Sequence, residues 1–177
     1  MFDLLVKGGT LPDGTVADIG IRGDRIVAVG RLEAEGARVI DASGDLVAPP
    51  FVDPHFHMDA TLSYGLPRVN ASGTLLEGIS LWGELREIAT VEEMVTRAVT
   101  YCDWAVSMGL LAIRTHVDTT PDHLRGVEAM LEVKRRVAPY LDLQLVAFPQ
   151  DGLYRTKTGR ENVLRALDMG VDVVGGI

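Results

Sequence analysis

Cysteine is nearly absent. Cys102 is the only one in 177 residues, which excludes an intrachain disulfide and fits a reducing cytoplasm. It lies in an apolar helical pattern, where a buried thiol is expected and not a nucleophile. Basic charge is also scarce. Lys and Arg number 17 against 25 Asp and Glu, for a formal net charge of -8. That balance argues against binding nucleic acid or an anionic membrane through a general basic surface. No apolar run approaches the roughly 18 residues that a bilayer-spanning helix needs. The N-terminus lacks the charged and apolar regions of a signal peptide. A soluble, cytoplasmic protein is the expectation. What is present suits a sizeable core: 47% of residues are hydrophobic and 24% charged.

One stretch is dense in metal-binding chemistry: Phe51-Val52-Asp53-Pro54-His55-Phe56-His57-Met58-Asp59, behind Pro49-Pro50. It reads as a short buried strand. Successive strand side chains point to opposite faces, so His55 and His57 share one face and Phe56 takes the other. Two imidazoles on one face can hold a single divalent cation from one side. Imidazole suits Zn and Fe alike, so the pair leaves the metal open. Two partly exposed histidines at a plain strand end are the alternative. The Asp-Pro before the pair and the run leading into it favour the metal.

The first fifty residues hold four short runs rich in Val, Ile and Leu, at 2–7, 17–22, 25–29 and 38–41. Gly8-Gly9, Asp13-Gly14 and Gly23-Asp24 punctuate them, the last placed for a tight hairpin. A small antiparallel, sandwich-like β domain over 1–50 follows. Beyond it, strands alternate with helical patterns. Residues 60–75 show no periodicity and form a loop longer than the usual connection of about two to six residues, which points to substrate contact. Leu75 opens a helix to Ile88 with Leu76, Ile79, Trp82 and Leu85 as its apolar side. Thr90-Val91-Glu92-Glu93 is a capping box for a second helix, carrying Met94, Val95, Ala98, Val99, Cys102, Ala105 and Val106, and stopped by Gly109. A second strand from Leu110 ends at His116 and Asp118. Thr120-Pro121 starts the third helix, with proline at its first position. Strands at 143–148 and 171–177 flank a helix at 161–169. Apolar strands alternating with helices are the signature of a parallel sheet. All four strand ends then share one rim, where barrel active sites are built. His55, His57, His116 and Gln150 converge there.

Val52-Asp53-Pro54-His55-Phe56-His57-Met58-Asp59 resembles the first barrel strand of the amidohydrolase superfamily of metal-dependent hydrolases. Arg114-Thr115-His116-Val117-Asp118, the segment from Asp142 to Gly152, and Ser72-Gly73-Thr74-Leu75-Leu76-Glu77-Gly78 resemble its bacterial cytosine deaminase branch. The resemblance implies an α/β fold: the first half of a (β/α)8 barrel over 51–177, preceded by the small β domain. A whole barrel takes about 250 residues and each step about 30. The residues after the first fifty suffice for about four steps, ending inside a strand.

The same resemblance implies His55 and His57 as the first two ligands of one divalent metal ion, Zn or Fe. It implies Gln150 as the amide that both donates to and accepts from a pyrimidine ring, with Leu75 and Phe148 near that ring. The implied reaction is hydrolytic deamination of a nitrogenous heterocycle, cytosine to uracil and ammonia, by metal-activated water. The family's other ligands, a His-x-x-Glu acid and an Asp on the last strand belong to its second half. No catalytic acid or base is therefore assigned here, and this segment alone is expected to be inactive. The full-length protein is expected to be a homo-oligomer that binds a small heterocyclic amine. His116 is open between orienting a neighbour and being a satisfied buried polar group. Asp118 reads as a helix cap and His123 as solvated.

Small zinc cytidine deaminases need H-x-E with P-C-x-x-C, which one cysteine cannot supply. Arg68-Val69-Asn70 and Tyr154-Arg155 depart from the cytosine deaminase pattern. They leave cytosine, isoguanine, 5-methylcytosine, a pterin and an ammelide-type triazine all in play as substrates. A non-catalytic amidohydrolase-like scaffold is a different class, and retained His55 and His57 weigh against it. An independent β/α binding domain would leave parallel edges open.

Overall fold

The structure, a computed structural model, describes residues 1–33 and 36–176. The chain divides into two compact units, Met1–Pro49 and Pro50–Ile177. In the first, β1 (Phe2–Thr10), β2 (Val16–Arg22), β3 (Arg25–Gly30) and β4 (Gly36–Asp41) form one four-stranded sheet, ordered β3-β2-β1-β4. Gly23-Asp24 makes the expected hairpin between β2 and β3, with Gly23 at φ +59, a conformation that glycine adopts without a Cβ penalty. The first three strands are antiparallel, but β4 lies parallel to β1. Among the described residues the sheet is thus single and mixed, not an antiparallel sandwich. β4 reaches the far edge by a crossover, and a parallel neighbour needs a crossover where an antiparallel one needs only a turn. Four apolar runs do not distinguish the two.

In the second unit, β5 (Phe51–Phe56), β6 (Leu110–Asp118), β7 (Asp142–Phe148) and β8 (Val173–Val174) pair in parallel and in sequence order. The connections hold α1 (Leu75–Ile88), α2 (Val91–Ser107), α3 (Arg125–Val137) and α4 (Gly159–Met169). Ile113, Thr115 and Val117 pair with Leu143, Leu145 and Ala147. The five apolar residues of that set pack into one core with Met94, Ala98 and Cys102 of α2 and Val127, Met130 and Val133 of α3. Strand alternation sends Arg114, His116, Gln144 and Phe148 to the other face. There Arg114 Nε donates to Gln144 Oε1 at 2.6 Å.

The capping box at Thr90 forms as expected: Thr90 Oγ1 accepts from Glu93 N, and the Glu93 carboxylate accepts from Thr90 N. Other local expectations change. β5 is not buried. Among the described residues it is an edge strand paired only with β6, so Phe51 and Val52 are exposed. α1 spans the expected residues, yet Leu76 is 79% exposed and Ile79 also faces water, while Leu81 and Leu85 are buried. Only the later turns of this helix reach the core. α3 begins at Arg125, not at Pro121, which sits in the preceding turn closed by Leu124 N donating to Pro121 O. β8 covers two residues of the expected strand at 171–177, of which Ile177 lies outside the described residues.

Candidate active site

Parallel pairing brings the C-terminal ends of β5, β6 and β7 to one rim. His55 is the penultimate residue of β5, and His57 lies one residue past the strand, at the head of a 3₁₀ turn over Met58–Ala60. Their ring centroids are 5.3 Å apart at 68°. His116 of β6 stacks on His55 at 4.0 Å and stands 5.6 Å from His57. Phe148, the last residue of β7, meets His57 and His116 edge-on at 5.6 and 5.3 Å. Three imidazoles and one phenyl ring thus gather at one spot.

The turn after β5 is what holds His57. Met58 is fully buried, and its N–H donates to Thr115 Oγ1 at 2.8 Å. Asp59 is buried beside it, with Oδ2 accepting from Asp118 N at 2.9 Å and Oδ1 from Ala60 N at 3.0 Å. Burial pushes the Asp59 carboxyl up to about 7, against the pull of those backbone donors. This lock is not legible along the chain, since its partners lie nearly sixty residues apart.

Burial first, and the adjacent His55 second, hold the His57 imidazole below the ordinary histidine range; the same two causes act on His116. Both rings are therefore neutral near pH 7, the form in which imidazole ligates a metal. His57 and its neighbour His55 fit one divalent cation in spacing and in donor chemistry. Among the described residues, no group of three or more His, Cys, Asp or Glu side chains is arranged to hold a metal ion, and two imidazoles alone do not fill a metal's coordination shell. His116 does not complete it. A ring stacked nearly flat on His55 cannot aim its in-plane lone pair at the same point. Its Nδ1 is buried without a hydrogen-bond partner among the described residues, so it is not a satisfied buried polar group.

Gln150 lies half-buried just past β7, in a turn closed by Gly152 N donating to Pro149 O at 2.7 Å. Leu75 opens α1 and is 78% exposed, so it stands in solvent in this chain. Trp82 packs against the core and donates its indole N–H to Asp118 Oδ2 at 3.0 Å. Asp118 Oδ1 accepts from Thr120 N at 2.8 Å, but α3 starts only at Arg125, so Asp118 caps no helix. Its buried carboxylate also accepts from Arg86 Nη1 at 2.5 Å, and Arg86 Nη2 reaches Asp151 Oδ2 at 2.8 Å. His123 is half-buried, not solvated, and its Nδ1 accepts from Arg125 N. Arg86 was not legible as a site residue, because its partners lie 32 and 65 positions away.

Known proteins bear on this arrangement. The profile of the amidohydrolase family matches residues 38–175. The chain is 35% identical to the N-isopropylammelide isopropyl amidohydrolase of Pseudomonas sp. (strain ADP), over 99% of this chain and 45% of that protein. The crystal structure of 5-methylcytosine deaminase from Klebsiella pneumoniae with 5-fluorocytosine superposes with a TM-score of 0.90 and 39% identity, over 97% of this chain and 43% of that one. N-isopropylammelide isopropylaminohydrolase from Burkholderia multivorans gives 0.80 and 27%, over 99% and 45%. The chain spans less than half the length of each of these relatives.

Proposed function

Because the chain belongs to the amidohydrolase family, we propose that it forms the metal-gripping rim and part of the substrate pocket of a hydrolytic deaminase. The substrate class is a nitrogenous heterocycle, with cytosine or 5-methylcytosine first. One observation carries this reading: His55 and His57 converge at a strand tip, against the edge of Phe148. The 39% identity to a 5-methylcytosine deaminase supports the substrate class.

His55 and His57 are the residues that would hold the cation, Zn or Fe. A bound divalent cation activates water for attack near neutral pH. The protein's own residues do the rest of what this segment can do. Gln150 presents an amide with one acceptor and two donor hydrogens, which matches the mixed donor and acceptor edge of a pyrimidine. A site built to hydrogen-bond its substrate rejects analogues that leave the amide unpaired. Phe148 offers an apolar wall beside the ring, and Leu75 would add another where substrate meets the start of α1. Hydrolysis replaces the exocyclic C–N bond with C–O and must deliver a proton to the departing ammonia. Neither buried carboxylate near the histidines is free to do so: Asp59 accepts from backbone N–H groups, and Asp118 from Arg86 and Trp82. The proton donor is accordingly assigned outside these residues.

A second reading is favoured by the 35% identity to an N-isopropylammelide amidohydrolase over nearly the whole chain: an alkylamino-triazine as substrate, with the same metal and the same attack. Offering the full-length protein cytosine, 5-methylcytosine and N-isopropylammelide separates them. Ammonia from a pyrimidine supports the first reading, and release of the alkylamine alone supports the second. Turnover of none of the three, in protein shown to carry metal, overturns both.

A further inference from the structure

We infer that Arg86 is a positioning residue for the substrate-binding turn, its guanidinium wedged between Asp118 and Asp151 so that Gln150 is held at a fixed place on the rim. The inference rests on the reading of Gln150 as the substrate's amide partner.

Arg86 sits in the last turn of α1 with its side chain 15% exposed. Its two terminal nitrogens bond separate carboxylates, one at the end of β6 and one in the turn after β7. A planar guanidinium spans two such acceptors in a single geometry, which an ammonium does not. Asp118 is the fixed end. Its side chain is 3% exposed, takes a second bond from Trp82, and its backbone N–H is held by Asp59 beside the histidine strand. Asp151 is the end being held. Its side chain is 37% exposed, and its backbone N–H makes one longer bond, to Thr120 Oγ1 at 3.2 Å. Arg86 is itself braced: Arg125 donates to the carbonyls of Arg86, Glu87 and Ala89 at the end of α1. Gln150 is the covalent neighbour of Asp151, so slack at one moves the other. Misplacement of a substrate contact by about 1 Å is enough to matter for binding and rate.

The test uses the full-length, metal-loaded protein and four variants: Arg86→Lys, Asp151→Ala, Gln150→Ala and the Asp151→Ala/Gln150→Ala pair. Arg86→Lys keeps the charge that buried Asp118 requires, so folding survives while the two-pronged reach is lost. Amide exchange at Asp151 and Gly152 is measured without substrate, and affinity for 5-fluorocytosine by calorimetry. Exchange about tenfold faster at those two amides is expected in Arg86→Lys and Asp151→Ala, with metal content unchanged. Affinity should fall about tenfold in each, and Asp151→Ala should cost little more once Gln150 is already removed. Unchanged exchange overturns the proposal, as does an Asp151→Ala penalty that persists undiminished in the Gln150→Ala background. If the unmodified protein binds no 5-fluorocytosine, the reading of the substrate has failed instead, and the exchange rates alone decide whether Arg86 holds the turn.

Discussion

Cys102 shows how surroundings decide one group's chemistry. It is wholly buried on α2 against Met58, and burial pushes its thiol from 9.0 up to about 12. It should resist a thiol reagent in native protein and react fully once unfolded. The unfolded chain gives up this proton first, so between pH 9 and about 12 the folded state binds more protons and stability falls as pH rises. Urea midpoints measured from pH 8 to 11 should drop more steeply for this protein than for Cys102→Ala; equal slopes would refute it. His57 carries the opposite kind of role, at an open rim. His57→Ala in the full-length protein should cut bound metal at least tenfold by elemental analysis and abolish deamination with little loss of melting temperature. Metal retained at the original level would remove this residue from the ligand set.

At the level of elements, α1 and α2 separate two kinds of signal. The capping box at Thr90 is a local pattern, and it forms because its partners are three residues apart. Thr90→Ala should cost about 1 kcal/mol in chemical denaturation, and Thr90→Ser much less. The Thr74-Leu75-Leu76-Glu77 spacing is the same pattern, yet only half of it is used. Thr74 caps Glu77 N, while the Glu77 carboxylate turns to Ser72 and Arg68, and the Ser72 bonds chiefly hold it down at about 2. Burial along α1 was not a local matter either. Leu85→Ala should cost about 2–5 kcal/mol and Leu76→Ala no more than about 0.5, whereas a stripe drawn from helical spacing through both residues makes both costly. Comparable losses from the two would put the helix back in its expected rotation.

For the whole molecule, the second unit has helices on one sheet face and, among its described residues, little over the other. Phe51, Val52 and Val174 remain exposed, and β5 and β8 stand at the two outer positions of the sheet. Unpaired edges and uncovered apolar strands recruit other chains. Residues 1–177 produced alone should therefore self-associate in light-scattering chromatography and turn over no cytosine, since two imidazoles by themselves do not complete a catalytic metal's ligand set. A monodisperse, active monomer would contradict both halves of that expectation. No helix is long and apolar enough to cross a membrane among the described residues.

Residue type and spacing were enough to read the order of strands and helices, the parallel sheet of the second unit, the Gly23-Asp24 hairpin and the Thr90 cap. They also made His55 and His57 stand out as a candidate metal-binding pair. Those features depend on periodicity or on neighbours a few residues apart, which a linear chain displays directly. Tertiary packing alone decided that β5 is an exposed edge, that α1 turns Leu81 inward and leaves Leu76 in water, and that the Asp118 carboxylate meets Arg86 and Trp82. It also decided that His116 lies flat on His55. Each of these follows from which distant segments share space, and a buried carboxylate takes whatever donor the fold brings within reach, however far off along the chain.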